Sequence, residues 1–207
     1  ICIGHRGTLW FEVKPKGQMC HGSMSVLGVN ALEKMVTVIN AFNAKIRPKI
    51  EAIKTAYPVM PPEARQSSLT VTVINGGAKV NVVPDECAAQ FDWRLVPEQD
   101  VSDSYAELLS CLEEIKRSDP TFRYEVSKIM ETEPIIVPTD TSVVKAFLEA
   151  GKIILGREPD FSVSPGSDDQ KYVVHKAGID QCIVYGPGPL SLAHKSDEYV
   201  EVEHLVK

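Results

Sequence analysis

The chain has no uninterrupted apolar run of the roughly 20 residues needed to cross a bilayer, so a membrane partner is not expected. Its 22 lysines and arginines are outnumbered by 28 acidic residues and are scattered along the sequence. The formal net charge is -6, and nucleic acid, which calls for clustered positive charge, is not expected either. No pair among Cys2, Cys20, Cys87, Cys111 and Cys182 has the short spacing of a zinc knuckle or a redox motif. Reduced, mostly buried thiols in a cytoplasmic protein are the expectation. No phosphate-cradling loop, nucleophile elbow, internal repeat or low-complexity segment is present.

What is there suits a real hydrophobic core. The 207 residues are 43% hydrophobic, enough for one large domain or one domain plus part of another. Ile1-Cys2-Ile3-Gly4 reads as a strand already under way, with no initiator Met, so a piece of a longer chain is expected. Trp10 to Lys14 reads as a strand. Val29, Leu32, Val36 and Ile39 recur at helical spacing over about 28–43. Four prolines between Arg47 and Gln66 are expected to break any long element. Leu69, Val71 and Val73 alternate with threonines, and Ala89, Phe91, Trp93 and Leu95 alternate with polar residues, giving two strands separated by an Asn75-Gly76-Gly77 turn. Ser102 or Asp103 is expected to cap a helix with the stripe Tyr105, Leu108, Leu109, Leu112 and Ile115, ended by Asp119-Pro120. Phe122 to Val126 is a fourth strand. The order is β-α-β-β-α-β over about 7–130, an α+β fold with an antiparallel sheet and both helices on one face. Its strands carry no RNA-binding aromatic signature.

After Pro134 the pattern changes. A helix through Val144, Phe147, Leu148, Ile154 and Leu155 stops at Gly156, and a polar loop at 165–169 leads into a short helix. Cys182 to Tyr185 reads as a buried strand ending in a Gly/Pro loop, and ligand sites in open α/β sheets lie off such ends. Val200 to Lys207 reads as the start of a further helix.

Several residues carry chemistry at these places. His194, in a polar turn past the Gly/Pro loop, can bind a metal through a neutral imidazole, although zinc wants three or four protein ligands. His21 stands between a strand and a helix, with Gly22 and Ser23 allowing close approach of a ligand. Arg94, on the polar face of its strand, can hold a carboxylate bidentately or pair with Asp92. Asn81 alone fits turn chemistry, and Ser167 or Asp168 alone fits a helix cap. Read separately, His21 and His194 also fit plain surface histidines.

The order of these segments is more telling than any one of them. Gly7-Thr8-Leu9-Trp10-Phe11-Glu12-Val13, Cys20-His21-Gly22-Ser23 and Gly28-Val29-Asn30-Ala31 are followed by Asn81-Val82-Val83-Pro84-Asp85-Glu86-Cys87 and Asp92-Trp93-Arg94. Gly166-Ser167-Asp168-Asp169, Gly186-Pro187-Gly188 and Ala193-His194 through Asp197-Glu198-Tyr199-Val200 come later. Over nearly the whole chain this series resembles the M20 family of metallopeptidases and deacylases, which includes acetylornithine deacetylases, succinyl-diaminopimelate desuccinylases, aminoacylases and carboxypeptidase G2. The resemblance implies a lid and dimerisation domain at 7–130. It also implies that residues 1–6 and 131–207 belong to an α/β zinc-peptidase-like catalytic domain.

By the same resemblance, His194 is a metal ligand. His21 stabilises an oxyanion in the partner subunit's site, and Asn81, Arg94, Gly166, Ser167 and Lys171 contact substrate. The implied cofactors are two divalent metal ions, zinc or else cobalt or manganese, whose other ligands and general-base glutamate would lie upstream of residue 1. The implied partners are an N-acyl amino acid or dipeptide substrate and a second copy of the chain, and the implied reaction is metal-assisted amide hydrolysis. The 207 residues alone are expected to be inactive. Where a desuccinylase-like loop reads Gly-Thr-Ser-Asp-Gly-Arg-Phe, this chain reads Gly166-Ser167-Asp168-Asp169-Gln170-Lys171-Tyr172; lysine lacks the planar fork of arginine, which argues against succinyl recognition there. The alternatives are a non-catalytic dimerisation and ligand-binding paralogue, and an unrelated α+β ligand-binding domain. The threonine-rich strand at 67–74 is the segment expected to pair with another chain.

Overall fold

The computed structural model describes residues 1–188, 192–193 and 195–206. In chain order the strands are β1 (Cys2–His5), β2 (Gly7–Lys16), β3 (Cys20–His21), β4 (Ser68–Gly76), β5 (Val82–Val83), β6 (Cys87–Leu95), β7 (Arg123–Thr132), β8 (Ile135–Ile136) and β9 (Ser162–Ser164). The α-helices are α1 (Ala31–Ala41), α2 (Arg47–Glu51), α3 (Val101–Ser118), α4 (Ser142–Leu155) and α5 (Val202–Val206).

The main sheet has the order β4-β6-β2-β7, with every neighbouring pair antiparallel. Alternation along β2 and β6 decides its two faces. Leu9, Phe11 and Val13 lie opposite Trp93, Phe91 and Ala89, and all six are buried. Thr8, Trp10 and Glu12 lie opposite Arg94, Asp92 and Gln90 and turn the other way. On the buried face Phe11 and Phe91 stack at 4.9 Å, and Phe42 meets Phe91 edge-on at 5.3 Å.

Both long helices of this half join the same core, α1 through Ala31, Met35 and Val38, and α3 through Val101, Leu108, Cys111, Leu112 and Ile115. Asn30 caps α1: its Oδ1 accepts from the amides of Leu32 and Glu33, and its side-chain NH2 donates to Glu33. The cap of α3 is Asp100, whose carboxylate accepts from the Asp103 amide, and not Ser102 or Asp103. Val101 is buried in the core, so the helix already begins there and leaves Asp100 as the last extended residue.

The first of the four prolines, Pro48, does not break the helix, although no long element follows between Glu51 and Ser68. α1 passes through a π-helical turn, Phe42–Ile46, directly into α2. The Arg47 amide reaches back to the Phe42 carbonyl, and this wider turn lets Pro48, which has no N–H, follow without ending the helix. Phe42, Ile46 and Ile50 are buried along the continuation.

A second, smaller core gathers Ile3, Val59, Ile135, Val137 and Val163. It lies on a sheet of order β8-β1-β9, in which β1 is antiparallel to β8 and parallel to β9. α4 is capped by Thr141 and stops at Gly156, whose φ of 69° suits glycine. Cys182 to Tyr185 is not a buried strand. It makes one bridge, Val184 to Cys2, and Tyr185 is 60% exposed, because no other described strand lies alongside to bury it. All five cysteines are free thiols; Cys87 and Cys111 are buried and the others partly so. Among the described residues no helix is long and apolar enough to cross a membrane.

Replacing Phe91 by alanine is expected to cost about 3–5 kcal/mol, because the void would open between Phe11 and Phe42. Urea unfolding checks this: the midpoint should fall with little change in the slope.

Candidate active site

The expected site residues that are described fall into two separate groups, one at each end of the main sheet. At the first end, β3 and β5 pair so that His21 lies opposite Val82 and the Gly22 amide donates to the Asn81 carbonyl at 2.8 Å. A Cβ on residue 22 would sit 3.2 Å from that carbonyl oxygen, so glycine lets the two strands close up. His21 and Asn81, sixty residues apart in sequence, are thereby neighbours on one exposed ladder. His21 is also the cap of a 3-10 turn, Gly22–Leu27: its Nδ1 accepts from the Ser23 amide at 3.2 Å and lies 2.8 Å from the Ser23 hydroxyl.

Arg94 stands at the opposite end of β6. It lies seven positions along the strand from Cys87, about 23 Å at 3.3 Å per residue. Its Nε and Nη2 meet the two oxygens of Asp92 at 2.7 and 2.9 Å, and Nη1 donates to the Thr8 hydroxyl at 3.1 Å. The guanidinium also lies 5.7 Å from the centre of the Trp10 ring. A guanidinium has five N–H donors, so this arrangement leaves one on each Nη for a ligand. Thr8 lies opposite Thr132 on β7, and Thr132 lines a cleft of 390 Å³ with Glu131, Glu133, Lys171, Tyr172 and His175. Lys171 therefore faces the same end of the sheet as Arg94. Gly166 and Ser167 sit in the loop after β9 that leads to it, and Asp168 accepts from the Gln170 amide there.

His5 and Arg6, which the sequence pattern alone left unremarked, are buried where β1 passes into β2. Arg6 donates to the Ser68 hydroxyl and the Arg94 carbonyl, both at 3.2 Å. Burial, together with the nearby Arg94 charge, pushes its pKa down to about 10, which leaves it charged near neutrality. His5 places Nδ1 2.9 Å from the Arg6 carbonyl, and a carbonyl only accepts, so Nδ1 carries the proton. Burial lowers the His5 pKa, with Lys171 and His175 acting in the same direction and the Arg6 carbonyl and Asp168 opposing them. A histidine and an arginine inside the otherwise uncharged run from Ile1 to Leu9 were the available sequence signal.

Among the described residues, no group of three or more His, Cys, Asp or Glu side chains is placed to hold a metal ion. His194 lies outside the described residues. A metal centre is therefore not assembled by the groups described, and no chemical step can be derived through one.

An α+β domain with an antiparallel sheet, a paired surface histidine loop and a buried arginine network defines a class, and comparison with known proteins gives the family. A family model for the M20 peptidase dimerisation domain matches residues 3–120, and the chain belongs to the M20 family of metallopeptidases and deacylases. It is 30% identical over 142 residues to an acetylornithine deacetylase of Myxococcus xanthus, covering 68% of this chain and 35% of that protein. It is 26% identical over 230 residues to a probable succinyl-diaminopimelate desuccinylase of Staphylococcus aureus, covering 100% of this chain and 54% of that one. Among solved structures it resembles an M20 family metallo-carboxypeptidase from Sulfolobus solfataricus, with a TM-score of 0.73 at 20% identity over 98% of this chain and 56% of that one. The chain thus spans about half the length of most of these relatives.

His5 generates a pH prediction. In the unfolded chain it takes up a proton as pH falls through the ordinary value of 6.5, while in the fold it resists, so its contribution to stability is lost as pH drops below that value. Urea midpoints should fall from neutral to mildly acidic pH, and His5→Gln should flatten that part of the profile. An equal slope in wild type and variant would assign the acid sensitivity elsewhere.

Proposed function

We propose that this chain supplies the lid, residues 7–130, and with residues 1–6 and 131–207 part of the catalytic domain, of a homodimeric metal-dependent amidohydrolase. Its substrate is an N-acyl amino acid or a dipeptide-like amide. The observation that carries this reading is the distance between the two groups: His21 and Asn81 lie at one end of the sheet, and Arg94 and Lys171 lie at the other. One chain cannot bring both to a single small molecule, whereas two chains joined through their lids can. β4, on the sheet edge and largely exposed, with Val73 40% and Ile74 51% accessible, is the surface for that pairing.

In this arrangement Arg94, steadied by Asp92 and Thr8, turns its two remaining donors to the carboxylate of the substrate, and Lys171 adds a point charge beside it. Gly166 and Ser167 line the approach. The partner's loop brings the His21 imidazole N–H and the Asn81 amide to the amide oxygen, where negative charge develops as the bond is attacked. The metal ions of such a hydrolase would draw on ligands beyond the described side chains, His194 among them. The 207 residues alone, given zinc or cobalt, are accordingly expected to show no turnover of N-acetyl or N-succinyl amino acids.

Mixed dimers test the arrangement in a protein that carries this chain within the full length of its relatives. His21→Ala and Arg94→Met are each expected to be inactive alone. Scrambled together, they should recover about a quarter of wild-type activity, since half the dimers are mixed and each holds one intact site. Sites built within single chains would give no recovery.

A further inference from the structure

His21 has a local partner that its proposed role does not account for. The Ser23 amide lies 3.2 Å from His21 Nδ1, and the Ser23 hydroxyl lies 2.8 Å from the same atom. A backbone N–H can only donate, so Nδ1 must be the unprotonated nitrogen, and in a neutral imidazole the proton then sits on Nε2. His5 shows the opposite case in the same chain, with a carbonyl holding the proton on Nδ1.

We infer that Ser23 is a positioning residue, which fixes His21 as the Nε2–H tautomer and aims that N–H outward as a hydrogen-bond donor. Its ligand is a carbonyl oxygen that gains negative charge, and this part of the inference rests on the hydrolase reading above. The fixing interaction uses nothing distant. His21 precedes the 3-10 turn, and the Ser23 amide is among the donors that the start of a helical turn leaves without a backbone partner. Capping the turn and choosing the tautomer are therefore one hydrogen bond. The pairing of β3 with β5 holds the backbone beneath it, so an exposed side chain keeps a defined direction. An unrestrained surface histidine would present donor and acceptor at Nε2 in turn, and would lose part of its effect on a developing oxyanion.

Nuclear magnetic resonance of the 207-residue chain, labelled with nitrogen-15 and held at mildly alkaline pH, tests the tautomer without any activity. His21 should show a bare Nδ1 and a protonated Nε2, with a coupling through the hydrogen bond from the Ser23 amide nitrogen to Nδ1. A proton on Nδ1, or the averaged signals of a free imidazole, overturns the inference. Ser23→Pro removes both donors; it should abolish the coupling and move the His21 nitrogens toward averaged values, while Ser23→Thr should retain the wild-type pattern. In the longer protein, Ser23→Pro is expected to lower kcat on the order of tenfold with KM little changed, less than the loss of a whole oxyanion donor, and Ser23→Thr should recover it. An unchanged tautomer in Ser23→Pro overturns the role of Ser23. A released tautomer with unchanged kcat upholds that role and instead overturns the oxyanion reading of His21.

Discussion

The pairing of β2 with β6 is the constraint on which the rest depends. Side chains alternate across a strand, so one register decides both faces of the sheet at once. Setting Phe11 opposite Phe91 builds the stacked centre of the core. The same register sets Thr8 opposite Arg94 on the other face, where the threonine hydroxyl takes one of the guanidinium donors. A slip of β6 by one residue would turn Asp92 and Arg94 into the core and Phe91 and Trp93 out of it. The hydrophobic core thus protects the polar arrangement indirectly, by making every other register far worse.

Strand length then becomes a functional quantity. β6 is long enough that the loop before it and the arginine near its end cannot meet in one chain. In the proposed dimer the sheet acts as a spacer, and its edge strand β4 offers backbone groups to the second copy. The buried pair His5 and Arg6 ties this spacer to the smaller sheet, since Arg6 donates to Ser68 on β4 and to the Arg94 carbonyl on β6. Hydrogen bonds from a buried charge to neutral partners are strongly directional and costly to lose. They hold the start of β2 against two other strands at the point where the chain leaves β1.

The regular elements were legible in the sequence because they express a short period. Alternation in 89–95 and the stripe from Leu108 to Ile115 are properties of neighbouring residues, and the folded chain keeps them. The differences have non-local or subtle causes. Passage of the helix through Pro48 depends on a π-helical turn, which no simple period announces. The cap at Asp100 depends on Val101 being drawn into the core. The run at Cys182 to Tyr185 has the composition of a buried strand but lacks a described neighbour to bury it. For the candidate site, motif order singled out His21, Asn81, Arg94, Gly166, Ser167, Lys171 and His194 as expected site residues, yet gave no sign that those described divide into two groups. That division comes from the β3–β5 ladder and the length of β6, both fixed by pairing between distant segments.

The division also explains why the histidine loop needs structure of its own. Arg94 is steadied by a sheet on which it lies, by Asp92 and by Thr8. His21 projects exposed from a pair of two-residue strands that lie outside the main hydrophobic core. The main core does not reach a side chain there, so its orientation rests on hydrogen bonds made by its own loop and by the strand paired with it. The Ser23 amide supplies one, and the close approach of Gly22 to the Asn81 carbonyl supplies the other. An exposed group that must reach another molecule is free of its own core by necessity. Short-range hydrogen bonds are then the means by which it can remain both accessible and directed.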